Sequence, residues 1–278
     1  MRILVHLSDL HFGRTDPALL QPLTRDVNAV HPHVVVVSGD LTQRATRSQF
    51  AEVRRFLDTL PHPQIVVPGN HDIPLYNAFE RFGSPLRNYC RIVTADLHPE
   101  FIDEEIAVIG VNTARSLTFK AGRINQRQMA RVQARFWDLG DHLTTIVVTH
   151  HPFDLPEGYG RGKIVGRASL AMRTFARCGA DILLSGHLHV SHAGNTASRY
   201  RVEGFAALVV QAGTATSTRE RGEPNTFNIV RCDGDDVSIE RMTWDARRRG
   251  YVTAETAAVR YTNQGWSPLG HIADSRVE

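Results

Sequence analysis

Short apolar runs alternate with amphipathic ones through most of the chain. Residues 3–7 read as a first strand and 34–37, four consecutive valines bounded by polar residues, as a strand buried on both faces. Further strands are predicted over 64–67, 106–111, 145–149 and 182–184. Between them, apolar residues recur at helical spacing over 17–30, 48–60, 126–139 and 168–177; Asp16 and Pro17 supply an N-cap and a first-turn proline for the first of these. After about residue 199 the pattern changes to strand and turn, as in "FAALVVQAG" and "TFNIVRCDGDD", which predicts a second, mostly antiparallel sheet closing against the first. The expected class is α/β, with one domain over 1–245 and a tail over 246–278 that wraps the surface or is partly disordered.

Composition narrows the picture without naming a partner. In 278 residues, 42% hydrophobic residues allow a sizeable core, and 32 basic against 29 acidic residues leave a formal charge of +3. This balance carries no strong nucleic-acid signal. Cys90, Cys178 and Cys232 lack any C-x-x-C spacing, which argues against a disulfide framework or a thiolate zinc site. The first apolar run is broken at once by His6, Ser8 and Asp9, too early for a secretory signal, and no run approaches the ~18 apolar residues of a membrane span. A cytoplasmic enzyme or binding protein is expected, and a homo-oligomer is left open.

The chemistry lies where the strands end. "SDLH" follows the first strand, "SGD" the second and "PGNHD" the third, with "THH" and "SGHLH" later. Ligands of open α/β sheets bind beyond the carboxyl ends of the strands, so these dispersed blocks are expected to meet in one crevice. Residues two apart on extended backbone point the same way, so Asp9 with His11, and His187 with His189, are expected to face a common ion. Two carboxylates, one amide and several imidazoles exceed what one tetrahedral zinc takes and suit two ions sharing a bridge. Mixed oxygen and nitrogen donors without sulfur suit Mn, Fe or Zn.

In these five blocks the sequence resembles the calcineurin-like metallophosphoesterases. They stand here as Asp9-Leu10-His11, Gly39-Asp40, Gly69-Asn70-His71-Asp72, His150, and Gly186-His187-Leu188-His189, in that order over roughly residues 1–245. The resemblance implies two packed mixed sheets flanked by helices, a four-layer sandwich. It also implies one ion on Asp9, His11 and His189, another on Asn70, His150 and His187, and Asp40 as the bridge. His151 is a rival for His150, read rather as a cleft or supporting residue. Histidines outside the blocks, such as His6 and His192, are expected to be surface or core residues.

The expected reaction is hydrolysis of a phosphodiester by a hydroxide bridging the two ions. The leaving oxygen then needs a proton, for which His71 is the candidate general acid and Asp72 its orienting carboxylate; alternatively His71 only buttresses Asn70. Length and blocks are most similar to bacterial class III cyclic-nucleotide phosphodiesterases and their broad-specificity relatives, which implies a cyclic nucleotide or small organic diester. Lipid-A precursor pyrophosphatases resemble the chain less, because their third block commonly has Arg at the position of His71. DNA-repair nucleases carry an additional capping domain, and the retromer scaffold subunit, a binding module on this fold, has eroded ligands. The segments 82–101 and 152–167, the latter with Arg161, Lys163 and Arg167, are expected to cap the cleft; the latter reads equally as a mobile Gly-rich loop.

Overall fold

A computed structural model describes residues 1–269 except 119, 141, 157–160, 197–198, 201, 203, 219–222 and 263–264. The chain begins with β1 (Arg2–Leu7), α1 (Pro17–Ala29), β2 (Val34–Val37), α2 (Arg47–Leu57) and β3 (Gln64–Val66), followed by α3 (Ala78–Gly83) and α4 (Arg87–Ile92). It continues through β4 (Glu100–Ile102), β5 (Ile106–Gly110), α5 (Gln126–Leu139), β6 (Thr144–Val148), α6 (Ala168–Arg177), β7 (Ile182–Ser185), β8 (His192–Asn195) and β9 (Leu208–Gln211). It ends in β10 (Thr226–Asp233), β11 (Asp236–Asp245), β12 (Gly250–Thr262) and β13 (Gly265–Pro268).

Two mixed sheets result, ordered β13-β12-β11-β10-β1-β2-β3 and β4-β5-β6-β7-β9-β8. The strands expected to build a separate antiparallel sheet extend both of these instead. β9 lies parallel to β7 in the second sheet, while β10 pairs antiparallel with β1 and carries β11 to β13 out to the edge of the first.

Alternation along the strands divides the core into three layers. Leu4, Val34, Val36, Ile146, Val148 and Leu184 share the cluster between the sheets. Val5, Leu7, Val35 and Val37 face Leu23, Val27, Phe50 and Val53 of α1 and α2, and Ile109, Val147 and Leu183 face α5 and α6. A strand covered on both faces has no solvent side, which is why the four valines lack polar interruption. Asp16 caps α1 by accepting from the Ala18 N–H, and Asn125 with Gln128 forms a capping box on α5.

The boundary expected at 245 falls in the turn between β11 and β12, and the segment expected as a tail contributes two strands. β12 pairs along the length of β11, and Trp266 of β13 stacks edge-on against Tyr261 and is almost fully buried. Its small and β-branched residues suit a ladder at the sheet margin, where few large apolar side chains are needed. Residues 270–278 lie outside the described residues. The segment 82–101, expected to cap the cleft, is anchored in the core at Tyr89, which is buried and whose hydroxyl donates to the Val66 carbonyl. No helix among the described residues is long and apolar enough to cross a membrane.

Candidate metal centre

β1, β2 and β3 run parallel, as do β5, β6 and β7, so the block-bearing loops leave the two sheets at their carboxyl ends. The loops after β1 and β2 interlock: the amides of Asp9, His11 and Phe12 donate to the carbonyls of Gly39, Asp40 and Leu41. Gly186 lets the loop after β7 close on the first sheet, since a Cβ there would stand 1.8 Å from Ser8 Oγ.

The spacing argument for Asp9 with His11 and His187 with His189 requires correction. All four residues, and Asp40, have positive φ, between 49° and 75°, so tight left-handed turns rather than extended backbone aim these side chains. Non-glycine residues persist in this region only where their surroundings over-determine it, at a cost of roughly 1–3 kcal/mol each. Here the interlocked backbone bonds supply that constraint.

Two groups of donor atoms converge. In the first, Asp9 Oδ1, His11 Nε2 and His189 Nε2 lie 3.4–3.5 Å from one another. In the second, His150 Nε2 lies 3.3 Å from each of Asn70 Oδ1, Asp40 Oδ1 and His187 Nδ1. Asp40 joins them, with its Oδ2 3.8 Å from His11 Nε2. Atoms about 2.0–2.2 Å from a common centre stand at such separations. Supporting bonds fix the orientations. His150 Nδ1 donates to the Ser38 carbonyl, His189 Nδ1 is 2.7 Å from Thr214 Oγ1, and Asp9 Oδ2 accepts from the Ser8 hydroxyl and the His187 N–H. Asp9 Oδ1 is left buried without a hydrogen-bond partner among the described residues.

That orphan oxygen, facing imidazole nitrogens in a water-poor site, is a test the residues pass for a cation pair. Charges tell the same story. Burial pushes Asp40 towards the neutral form, but His150 and His11 outweigh it and hold the carboxyl well below its ordinary range. Burial pushes the His150 pKa down and Asp40 pulls it up further, to about 9, whereas burial and the His150 charge push His187 down to about 3. Without a cation, the carboxylates draw a proton onto His150, whose place a bound metal would take.

His71 sits on a 3-10 turn, Asn70–Asp72, with its ring edge-on to His11 at 4.9 Å. Its N–H donates to Asp40 Oδ1 and its Nδ1 to the Gln43 carbonyl, at 2.8 and 3.0 Å. A carbonyl only accepts, so Nδ1 carries a proton. The group at His71 Nδ1 is therefore the Gln43 carbonyl and not the expected Asp72 carboxylate. Both Asp72 oxygens are engaged by the amides of Leu41, Thr42 and Gly69 and by the Thr42 hydroxyl, tying the loops after β2 and β3 together. Burial, then the Asp40 charge, pushes Asp72 up to about 6 against those amide bonds.

His151 is buried beside the second group, with ring centroids 4.8 Å from those of His150 and His187 and its Nδ1 2.8 Å from Thr113 Oγ1. Its Nε2 lacks a partner among the described residues, so His151 stays a geometric rival of His150. His6, buried as a core residue, is 2.9 Å from Ser38 Oγ.

Above both groups opens a cavity of ≈ 400 Å³ lined by Asp40, Asn70, His71, His187 and His189, with Lys120, Gly162 and Lys163 across from them. Lys163 comes from the Gly-rich segment, of which 157–160 lie outside the described residues. Lys120, Gln43 and Thr214 escaped the sequence reading; a lone lysine or threonine in a loop carries no spacing signal.

A family model described as calcineurin-like phosphoesterase matches residues 1–191. Among curated proteins, the glycerophosphodiester phosphodiesterase GpdQ of Enterobacter lignolyticus (strain SCF1) is 27% identical over 168 residues, 55% of this chain and 58% of that protein. Purple acid phosphatase PPD1 from yellow lupin superposes with a TM-score of 0.69 over 98% of this chain and 57% of its own, at 12% identity. The chain thus covers less than two thirds of either relative's length. A dimetal phosphatase from Danio rerio superposes at 0.58 over 91% of this chain and 98% of its own, at 14% identity.

Proposed function

This chain belongs to the calcineurin-like phosphoesterase family, and from that premise we propose that it is a two-metal phosphodiesterase. The carrying observation is the pair of donor groups joined through one carboxylate. Asp9, His11 and His189 would hold one ion and Asn70, His150 and His187 the other, with Asp40, whose two oxygens approach His11 and His150, shared between them. The donor chemistry suits Mn, Fe or Zn. When bound, such a pair acidifies the attacking water and neutralises the phosphoryl oxygens.

The protein's own groups do the rest. Ser38 and Thr214 keep the imidazoles of His150 and His189 turned towards the centre. Lys120 and Lys163 line the cavity that would receive the phosphoryl group and add positive charge to it. As an imidazolium, with its Nδ1–H anchored on the Gln43 carbonyl, His71 gives its Nε2 proton to the departing alcohol as the ester bond breaks. Asp72 acts on this step only by holding the loop that carries His71.

A small phosphodiester is the favoured substrate class, a glycerophosphodiester as in the relative's name or a cyclic nucleotide. The Arg position of the lipid-pyrophosphate relatives is His71 here, and all seven ligand positions are retained, which disfavours a pure scaffold. The test is hydrolysis by metal-reconstituted protein of bis-p-nitrophenyl phosphate, p-nitrophenyl phosphate, cyclic AMP, glycerophosphoethanolamine and a nucleotide-lipid pyrophosphate. Diesters should be turned over well ahead of the monoester and the pyrophosphate, with activity lost on chelation. Equal or faster monoester turnover would overturn the diester reading.

A further inference from the structure

A second cavity, of ≈ 250 Å³, adjoins the first at His71. It shares Asn70, His71 and Lys120 with the metal-centre cavity, and its own wall is Ile73, Leu75 and Tyr76, with Gln43 and Arg44. Leu75 is 46% exposed and Tyr76 78%, and on the short helix that follows Phe79 and Phe82 are 93% and 58% exposed. Four large apolar side chains open to water within eight residues is a concentration that solvent alone does not favour. Two of the four, Leu75 and Tyr76, line the cavity that shares a wall with the candidate metal centre.

In-line displacement sends the leaving oxygen away from the attacking water, and the proton donor marks the side on which it departs. With His71 as that donor, the substituent on the leaving oxygen enters the second cavity. We infer that this cavity is a leaving-group subsite for an apolar alcohol, so that the protein prefers amphiphilic phosphodiesters with an alkyl or similar apolar substituent. The inference rests on the phosphodiesterase reading and adds the class of the released alcohol. The reaction balances without a co-reactant: water oxygen bonds to phosphorus, the P–O bond to the apolar alcohol breaks, and His71 Nε2–H protonates that oxygen. The products are the alcohol and a phosphomonoester, and the proton released by the attacking water restores the His71 imidazolium through solvent. The same cavity carries two cations, Lys120 and Arg44, whose guanidinium lies 5.7 Å over the Tyr76 ring, so a carboxylated alcohol is the competing occupant that the test must exclude.

The test uses metal-loaded full-length protein on methyl ethyl phosphate, methyl hexyl phosphate and methyl 5-carboxypentyl phosphate, with the released alcohols identified chromatographically. Four added methylenes should raise kcat/KM by about tenfold or more, given the gain available per buried methylene. Hexanol should be released in large excess over methanol. Leu75→Ala/Tyr76→Ala should bring the hexyl-to-ethyl ratio close to one, while Leu170→Ala, an exposed apolar residue on α6, should leave it as in wild type.

Hydrolysis of all three esters without a chain-length preference, predominant release of methanol, preference for the carboxylated alcohol, or a ratio unmoved by the double substitution would overturn the inference while sparing the phosphodiesterase reading. A dimer in sedimentation that the double substitution dissociates would reassign the patch to a second copy of the chain and overturn it too. Hydrolysis of none of the esters nor of bis-p-nitrophenyl phosphate would overturn both.

Discussion

Asp40 extends one carboxylate oxygen towards each donor group while its Oδ1 also accepts from the His71 amide. Asp40→Ala should therefore empty both metal positions, not one, and elemental analysis should fall from about two ions per chain towards none. Retention of one ion would show that the two positions are independent. His71→Ala should do the opposite, keeping metal content while lowering kcat by ~10²–10⁴ on a diester with an alkyl leaving group. A p-nitrophenyl ester releases a stable phenolate that needs little protonation, so the loss on it should be much smaller. Equal losses on both, with metal retained, would assign His71 to positioning rather than proton donation.

The turns between strand and ligand are built so closely that single atoms matter. A Cβ on Gly69 would lie 2.1 Å from Asp40 Oδ1 and 2.3 Å from the Asp40 amide nitrogen, so the loops after β2 and β3 approach each other only because that atom is absent. Gly69→Ala is expected to cost about 1–3 kcal/mol in thermal unfolding and to lower metal stoichiometry, because the displaced group is the shared carboxylate. An alanine variant with wild-type melting and two bound ions would contradict the geometry. Asp72 belongs to this scale as well: its four hydrogen bonds tie together the loops after β2 and β3, the second of which carries His71.

For the whole molecule, stability should depend on pH through a carboxyl remote from the metal centre. Asp181 precedes β7 and accepts from the Thr145 amide and hydroxyl, yet burial outweighs those bonds and pushes its pKa up to about 6. An unfolded chain releases this proton near ~3.9, so the folded state is progressively disfavoured as pH rises from about 4 to 6, and the penalty persists above that. Asp181→Asn keeps an acceptor for Thr145 and removes the charge. It should melt higher than wild type at pH 7.5, by on the order of 2 kcal/mol, with the gap closing near pH 4. An unchanged difference between the two pH values would rule out this titration. The same scale separates what is local from what is assembled. The strands over 3–7 and 34–37, the helices over 17–30 and 126–139 and the five ligand blocks are legible in the sequence, because periodicity, caps and short motifs are properties of neighbouring residues. Two readings failed for one common reason: β10 to β13 extend the first sheet, and Asp9, His11, His187 and His189 turn inward at positive φ. Strand partners and left-handed turns are selected by bonds between residues remote in sequence, such as the Asp9 amide to the Gly39 carbonyl and the His187 amide to Asp9 Oδ2. The convergence of donors from residue 9 to residue 189, the anchoring of His71 on Gln43 and the placing of Lys120 over the cavity likewise emerge only when the two sheets pack, since no segment of the chain contains both ends of those contacts.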